Sequence, residues 1–115
     1  MNEVFLEGTV ASMALVGYAA SAKQHCVCQL RVVHRNQKQQ TVSELYTINA
    51  WNRLAAWAAQ ALKSGMRVCV KGYLTQRTQQ SVVVTEVTAN RFVIQQATQP
   101  LPNAVPAQAS IPETA

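Results

Sequence analysis

Hydrophobic and polar residues alternate with period two along much of the first 94 residues, the pattern of half-buried strands. Val4-Phe5-Leu6-Glu7-Gly8-Thr9-Val10 reads as a first strand, with Gly8 at a bulge or bend. From Cys26 to His34 one face carries Cys26, Cys28, Leu30 and Val32, and the other Val27, Gln29, Arg31 and Val33. The polar stretch Arg35-Asn36-Gln37-Lys38-Gln39-Gln40 separates this strand from a third over residues 41–50. Between Asn52 and Leu62 the period changes: Leu54, Ala58, Ala61 and Leu62 recur at helical spacing in an Ala-rich run, with Trp57 beside them. Lys63, Ser64 and Gly65 supply the stop, a cation near the last carbonyls and a glycine able to take positive φ. Alternation returns over residues 66–76, with Val68, Val70 and Leu74 predicted inward and Arg67, Cys69, Lys71 and Tyr73 outward. Residues 81–94, rich in β-branched side chains, form the last strand, and Gln79-Gln80 is expected at the hairpin tip.

Three strands, a helix and two strands in about 95 residues is the layout of an all-β, five-stranded OB-fold barrel with one α-helix between strands 3 and 4. The composition changes near residue 95. All four prolines fall in residues 95–115, mixed with Gln and Ala and with Glu113 as the one charge. Such a segment buries too little apolar surface to offset its conformational entropy, so a folded domain over 1–94 and a flexible Gln/Pro/Ala-rich tail over 95–115 are expected.

Charge narrows the function. Only 13% of residues are charged, against about 25% in an average protein. Yet Lys and Arg outnumber Asp and Glu ten to five, for a net charge of +5. A surface that is basic with so few ionised groups favours a polyanionic partner. No apolar run approaches the ~20 residues of a membrane span, and Met1-Asn2-Glu3 does not open a signal peptide, so no membrane association and a cytoplasmic location are expected. Cys26, Cys28 and Cys69 cannot all pair within one chain. They read as buried thiols in a reducing compartment. A metal site using His25, Cys26 and Cys28 is the alternative, but the Cys-x-Cys spacing is too tight for a zinc knuckle, and no metal or cofactor is expected. Catalysis is not expected either. The chain has no Asp, its acids are dispersed, and His25 and His34 have no partner constellation in sequence.

The opening Asn2-Glu3-Val4-Phe5-Leu6-Glu7-Gly8 resembles the first strand of the bacterial single-stranded DNA-binding protein family. More specific is the block Ile48-Asn49-Ala50-Trp51-Asn52-Arg53-Leu54-Ala55. It continues through Leu62-Lys63-Ser64-Gly65-Met66-Arg67-Val68 to Val70-Lys71-Gly72-Tyr73-Leu74-Thr75-Gln76-Arg77. The family has the same ordered set: an aromatic, a basic residue and a Leu-Ala pair opening the helix, a Lys-Gly turn, a Val-x-Val strand, and an Arg-bearing hairpin. The resemblance spans residues 2–94. It implies a non-catalytic protein that coats single-stranded DNA in replication, recombination or repair, assembled as a homotetramer or as a dimer.

A sequence-indifferent binder of single strands needs a basic groove for phosphates and aromatic faces on which bases stack. Trp51 stands where the family carries a stacking aromatic, and Arg53 where it carries a nearby cation; packing in the core is the other reading of Trp51. Trp57, on the apolar stripe, reads as a packing residue. Arg31, Arg35 and Lys38 fall on and after the second strand, where the family has a mobile finger that folds over nucleic acid. Arg77 stands on an arginine-bearing hairpin. Lys71 and Tyr73 point outward toward either DNA or a neighbouring subunit. Tyr46 is a stacking candidate or a packing residue, and Arg67 and Arg91 read as ordinary surface charges.

Three features depart from the family. Leu45 and Gln79 stand where tryptophans are frequent, the finger before Lys38 has no aromatic, and the last residues, Ser110-Ile111-Pro112-Glu113-Thr114-Ala115, hold one acid rather than several. Fewer platforms imply binding that leans on charge, and the missing acidic tip weighs against recruitment of partner enzymes through it. A divergent or mobile-element-encoded member fits this pattern. The alternative function is a primosome-type or accessory OB-fold protein that acts mainly through protein contacts.

Overall fold

The computed structural model describes residues 1–17 and 23–96. Its elements are β1 (Val4–Gly17), β2 (Gln24–Arg35), β3 (Thr41–Trp51), α1 (Asn52–Ala61), β4 (Arg67–Gln79) and β5 (Val82–Gln96). The strands close into a barrel in the order β1-β2-β3-β5-β4. Every neighbouring pair is antiparallel except β3 and β5, which meet in parallel through Ile48 opposite Val87 and Asn49 opposite Thr88. This short parallel seam closes the barrel, and the helix sits between the third and fourth strands, as the pattern implied. No described helix is long and apolar enough to cross a membrane. β5 runs on through Gln96, and the rest of the proposed tail, from residue 97, lies outside the described residues.

Period two sorts the side chains. Val10, Cys26, Cys28, Leu30, Ile48, Ala50, Val68, Val70 and Val87 point inward and are buried. α1 packs Ala55, Ala58 and the following Leu62 onto the same cluster. Leu30 is fully buried at its centre, and truncating such a residue to Ala costs about 2–5 kcal/mol. Two glycines allow strands to approach closely: a Cβ at Gly8 would collide with the carbonyl of Arg31, and one at Gly72 with that of Thr88. Gly65 takes φ +93° after the helix, as its place in the stop signal requires.

Three local expectations are corrected. β1 does not end at Val10. A shift of register between Val10 and Ser12 leaves Ala11 as a bulge, after which the strand pairs with β2 as far as Gly17. The bulge reverses the phase of alternation, which hid the continuation. Leu74, expected inward, is 48% exposed. β1 pairs with β4 no further than Val4 opposite Gly72, and beyond it the Asn2 side chain meets only the Leu74 backbone, through two hydrogen bonds of 2.9 Å. The hairpin between β4 and β5 turns at Gln80-Ser81 rather than Gln79-Gln80: Gln79 pairs with Val82, and both turn residues take positive φ.

Candidate nucleic-acid interface

The odd-numbered residues of β2 and β3 share the outer face of the barrel wall, opposed in pairs: His25 with Trp51, Val27 with Asn49, Gln29 with Thr47, Arg31 with Leu45 and Arg35 with Thr41. The first three pairs form one wall of a cleft of about 810 Å³. β4 supplies the facing wall through Tyr73, Thr75, Arg77 and Gln79, and β5 supplies Glu86 and Thr88. Several polar groups in this cleft pair with one another. Gln29 Nε2 donates to Thr47 Oγ1 at 3.0 Å, and the hydroxyls of Thr75 and Thr88 share a hydrogen at 2.9 Å.

Trp51 ends β3 and precedes α1. It keeps an extended backbone (φ −126°, ψ 150°), and Asn52 then turns the chain into the helix at φ 58°. Asn tolerates that left-handed conformation better than most residues. The helix thereby swings away, and the indole remains on the cleft face in phase with Asn49 and Thr47. It is 38% exposed and stacks on His25, centroids 4.0 Å apart and planes 4° from parallel.

A polar chain runs beneath the ring pair. His25 Nε2 lies 2.6 Å from Asn49 Oδ1, and Asn49 Nδ2 donates to Glu86 Oε1 at 2.7 Å. Arg77 then closes on Glu86 in two parallel bonds, Nε to Oε1 and Nη2 to Oε2, each 3.0 Å. The Glu86 side chain is 7% exposed and the Arg77 side chain 53%. Arg77 holds the Glu86 carboxyl below the usual carboxylate range; burial opposes this and Asn49 reinforces it. Arg77 was expected as a phosphate contact, and the structure gives its guanidinium a carboxylate partner inside the cleft.

Arg31 and Arg35 continue the same face outward along the β2–β3 hairpin, which is a paired ribbon almost to its tip. Arg31 Nη1 lies 3.3 Å from Ser43 Oγ, and Arg35 Nη1 donates to the carbonyl of Gln39 at 3.0 Å. At the tip the Asn36 side chain accepts from the backbone N–H groups of Lys38 and Gln40 at 2.9 and 3.0 Å, which leaves Lys38 exposed at the end. Leu45 is exposed on this face and Gln79 lines the cleft, so both positions expected to lack a tryptophan lie where one would be presented.

The remaining candidates separate. Tyr46 lies on the other side of the sheet from Trp51, half-buried against the core in register with Leu30. Its hydroxyl donates to Glu44 at 2.7 Å. Even parity decided this: Ile48 and Ala50 share its side. Lys71 belongs to a second cleft with Phe5, Cys69, Arg91 and Val93, its ammonium 5.8 Å from the centre of the Phe5 ring, whereas Tyr73 lies in the first. Arg53 is exposed on the first turn of α1 and does not line the cleft. Trp57 packs on Phe92, centroids 6.1 Å apart, yet stays 42% exposed. Arg67 meets Glu7 at 3.5 Å on the surface. Cys26 and Cys28 point into the core and His25 into the cleft, so one ion cannot meet all three.

Sequence reasoning passed over His25 as a cleft residue, and missed Asn49 and Glu86. His25 and Asn49 were available from parity with Trp51 once the register of β2 on β3 is known. Glu86 carried a fainter signal, one carboxylate in a run of β-branched residues. Its partner follows only from the hairpin register, which sets Thr75 opposite Glu86 and Arg77 diagonally beside it.

The architecture has solved counterparts. The wild-type single-stranded DNA binding protein of Thermus aquaticus superposes with a TM-score of 0.73 at 18% identity, over 84% of this chain and 50% of that one. A small single-stranded DNA-binding protein of Streptomyces coelicolor gives 0.64 at 22%, over 80% and 90%. The SSB domain of a Synechococcus protein gives 0.63 at 17%, over 80% and 93%. The chain thus spans about half the length of the Thermus protein, and at these identities the likeness establishes the fold. Comparison with curated protein sequences gives no significant match. The sequence profile of the single-strand binding protein family, a family of non-enzymatic DNA-binding proteins, matches residues 1–99, and the chain belongs to that family.

Proposed function

We propose that this protein binds single-stranded DNA with little sequence preference, bases stacking on Trp51 and Tyr73 while phosphates follow Arg31, Arg35 and Lys38 along the hairpin. The observation that carries the reading is a half-exposed indole in a cleft that continues into a ribbon bearing cations on the same face. Stacking accepts any base, because each presents a π-face, and phosphate neutralisation is indifferent to sequence. Arg53 joins from the helix start, and Arg77 joins to the extent that phosphate displaces Glu86. Tyr46 and Lys71 lie apart from this path.

Assembly into a homotetramer belongs to the same proposal. The second cleft joins Phe5, which is 67% exposed, to Val93 and the aliphatic part of Lys71, an apolar surface suited to a second copy of the chain. The cellular setting proposed is replication, recombination or repair in the cytoplasm, where free thiols stay reduced.

The test is fluorescence in a Trp57→Phe background, where Trp51 is the one indole. Saturating oligo-dT should quench it strongly, and Trp51→Ala should weaken binding by about 1–3 kcal/mol, the worth of one stacked base. Emission unchanged by oligo-dT would favour the accessory role through protein contacts, which the exposed Leu45 in place of an aromatic supports.

A further inference from the structure

We propose that His25 is the positioning residue of the Trp51 platform, holding the indole in its stacking orientation through a polar chain anchored on buried Glu86. This rests on the reading of Trp51 as a surface for bases. The two residues are directly opposed on β2 and β3, with their rings parallel at 4.0 Å. An indole at a strand end has a broad torsional well about its terminal bond. A flat partner in contact with one face narrows that well before a base arrives.

The imidazole is itself fixed, and the direction of each hydrogen bond follows from chemistry. The Glu86 carboxylate only accepts, so the Asn49 atom facing it at 2.7 Å is the amide nitrogen. The amide oxygen must then face His25, and Nε2 at 2.6 Å must carry the hydrogen. The Nε2–H donor and the fixed amide oxygen together set the plane of the ring. The inner end of the chain does not move readily: Asn49 is 8% exposed, and Glu86 is clamped by Arg77. Among the described residues, Glu86 from β5 and, through it, Arg77 from β4 are charged groups at the inner end of the chain that starts at the imidazole. β1 opposes His25 with Val16, and β3 with Asn49 and Trp51.

The experiment uses the full chain in the Trp57→Phe background with two variants. His25→Gln keeps a donor for Asn49 without a ring; His25→Phe keeps a ring without the donor. In the parent without DNA, time-resolved anisotropy should show little fast local motion of Trp51; His25→Gln should enlarge that fast component and His25→Phe should leave it small. His25→Gln should bind oligo-dT about three- to tenfold more weakly, the scale of one aromatic pair, with the dependence of log K on log salt unchanged. His25→Phe should recover affinity to within about twofold. The inference is overturned if His25→Gln binds as tightly as the parent, or if its Trp51 is no more mobile than the parent's. It is equally overturned if the loss comes with a shallower salt dependence, which would make His25 a phosphate contact instead. Failure of oligo-dT to quench the parent at all marks a different fault, in the stacking role of Trp51 itself.

Discussion

Glu86→Gln is the most informative single substitution in this cleft, because it keeps shape and removes one buried negative charge. The carboxylate accepts two bonds from Arg77 and one from Asn49. Hydrogen bonds to a charged group are worth about 1.5–3 kcal/mol and neutral ones about 0.5–1.5. Because the Arg77 side chain is 53% exposed, solvent screens much of that difference. The net loss should be about 1–2 kcal/mol at pH 7, or roughly 5–10 °C in Tm for a domain of this size. The pH dependence has a definite sign. Arg77 depresses the folded-state pKa of Glu86, so its contribution is complete above the ordinary carboxylate pKa and fades as pH falls through the depressed value. Urea unfolding should show the variant clearly weaker at pH 7, with the deficit shrinking progressively as pH is lowered through and below the ordinary carboxylate range. DNA binding should change the other way. Without the carboxylate, Arg77 turns to phosphate, so affinity for oligo-dT should rise at low salt and the salt slope steepen by about one phosphate. Equal urea midpoints at pH 7 would refute the account of the clamp, as would a deficit undiminished in acid.

Other outcomes follow from the same geometry. Arg31→Ala, Arg35→Ala and Lys38→Ala should each flatten the salt dependence of oligo-dT binding by roughly one phosphate and leave base preference unchanged; a salt titration of each variant decides it. The turn at Gln80-Ser81 holds two L-residues at φ 50° and 67°, so Gln80→Asn with Ser81→Gly should raise stability by about 1 kcal/mol, measured by thermal melts. A thiol reagent should spare Cys26 and Cys28 in the native protein. Burial raises the Cys26 thiol, and burial together with neighbouring Cys26 pushes Cys28 up to about 12; rapid loss of three thiols per chain would contradict the packing.

What could be read without coordinates was periodic. Alternation sorted Cys26, Cys28 and Leu30 from Val27, Gln29 and Arg31, and helical spacing placed α1 within a residue of its end. For Trp51 the sequence reading leaned on the family resemblance and kept core packing as the alternative; parity with inward Ile48 and Ala50 would have set it outward. The same rule applied to Tyr46 would have set it with the core-facing residues, away from the groove. Where alternation broke, at the bulge around Ala11, the reading stopped short. Leu74 kept the inward phase and was still exposed, because phase assigns a face and not what covers it.

The local code of this chain therefore determined its strands, its helix and the side on which each residue stands, all short-range consequences of backbone geometry and solvent preference. Tertiary structure decided which strands meet. Only the closed barrel brings Glu86 of β5 against Asn49 of β3 and Arg77 of β4, and only the β2–β3 register lays His25 under Trp51. Those pairings depend on long-range closure and on bulges that shift register, and no local pattern in the chain encodes their sum.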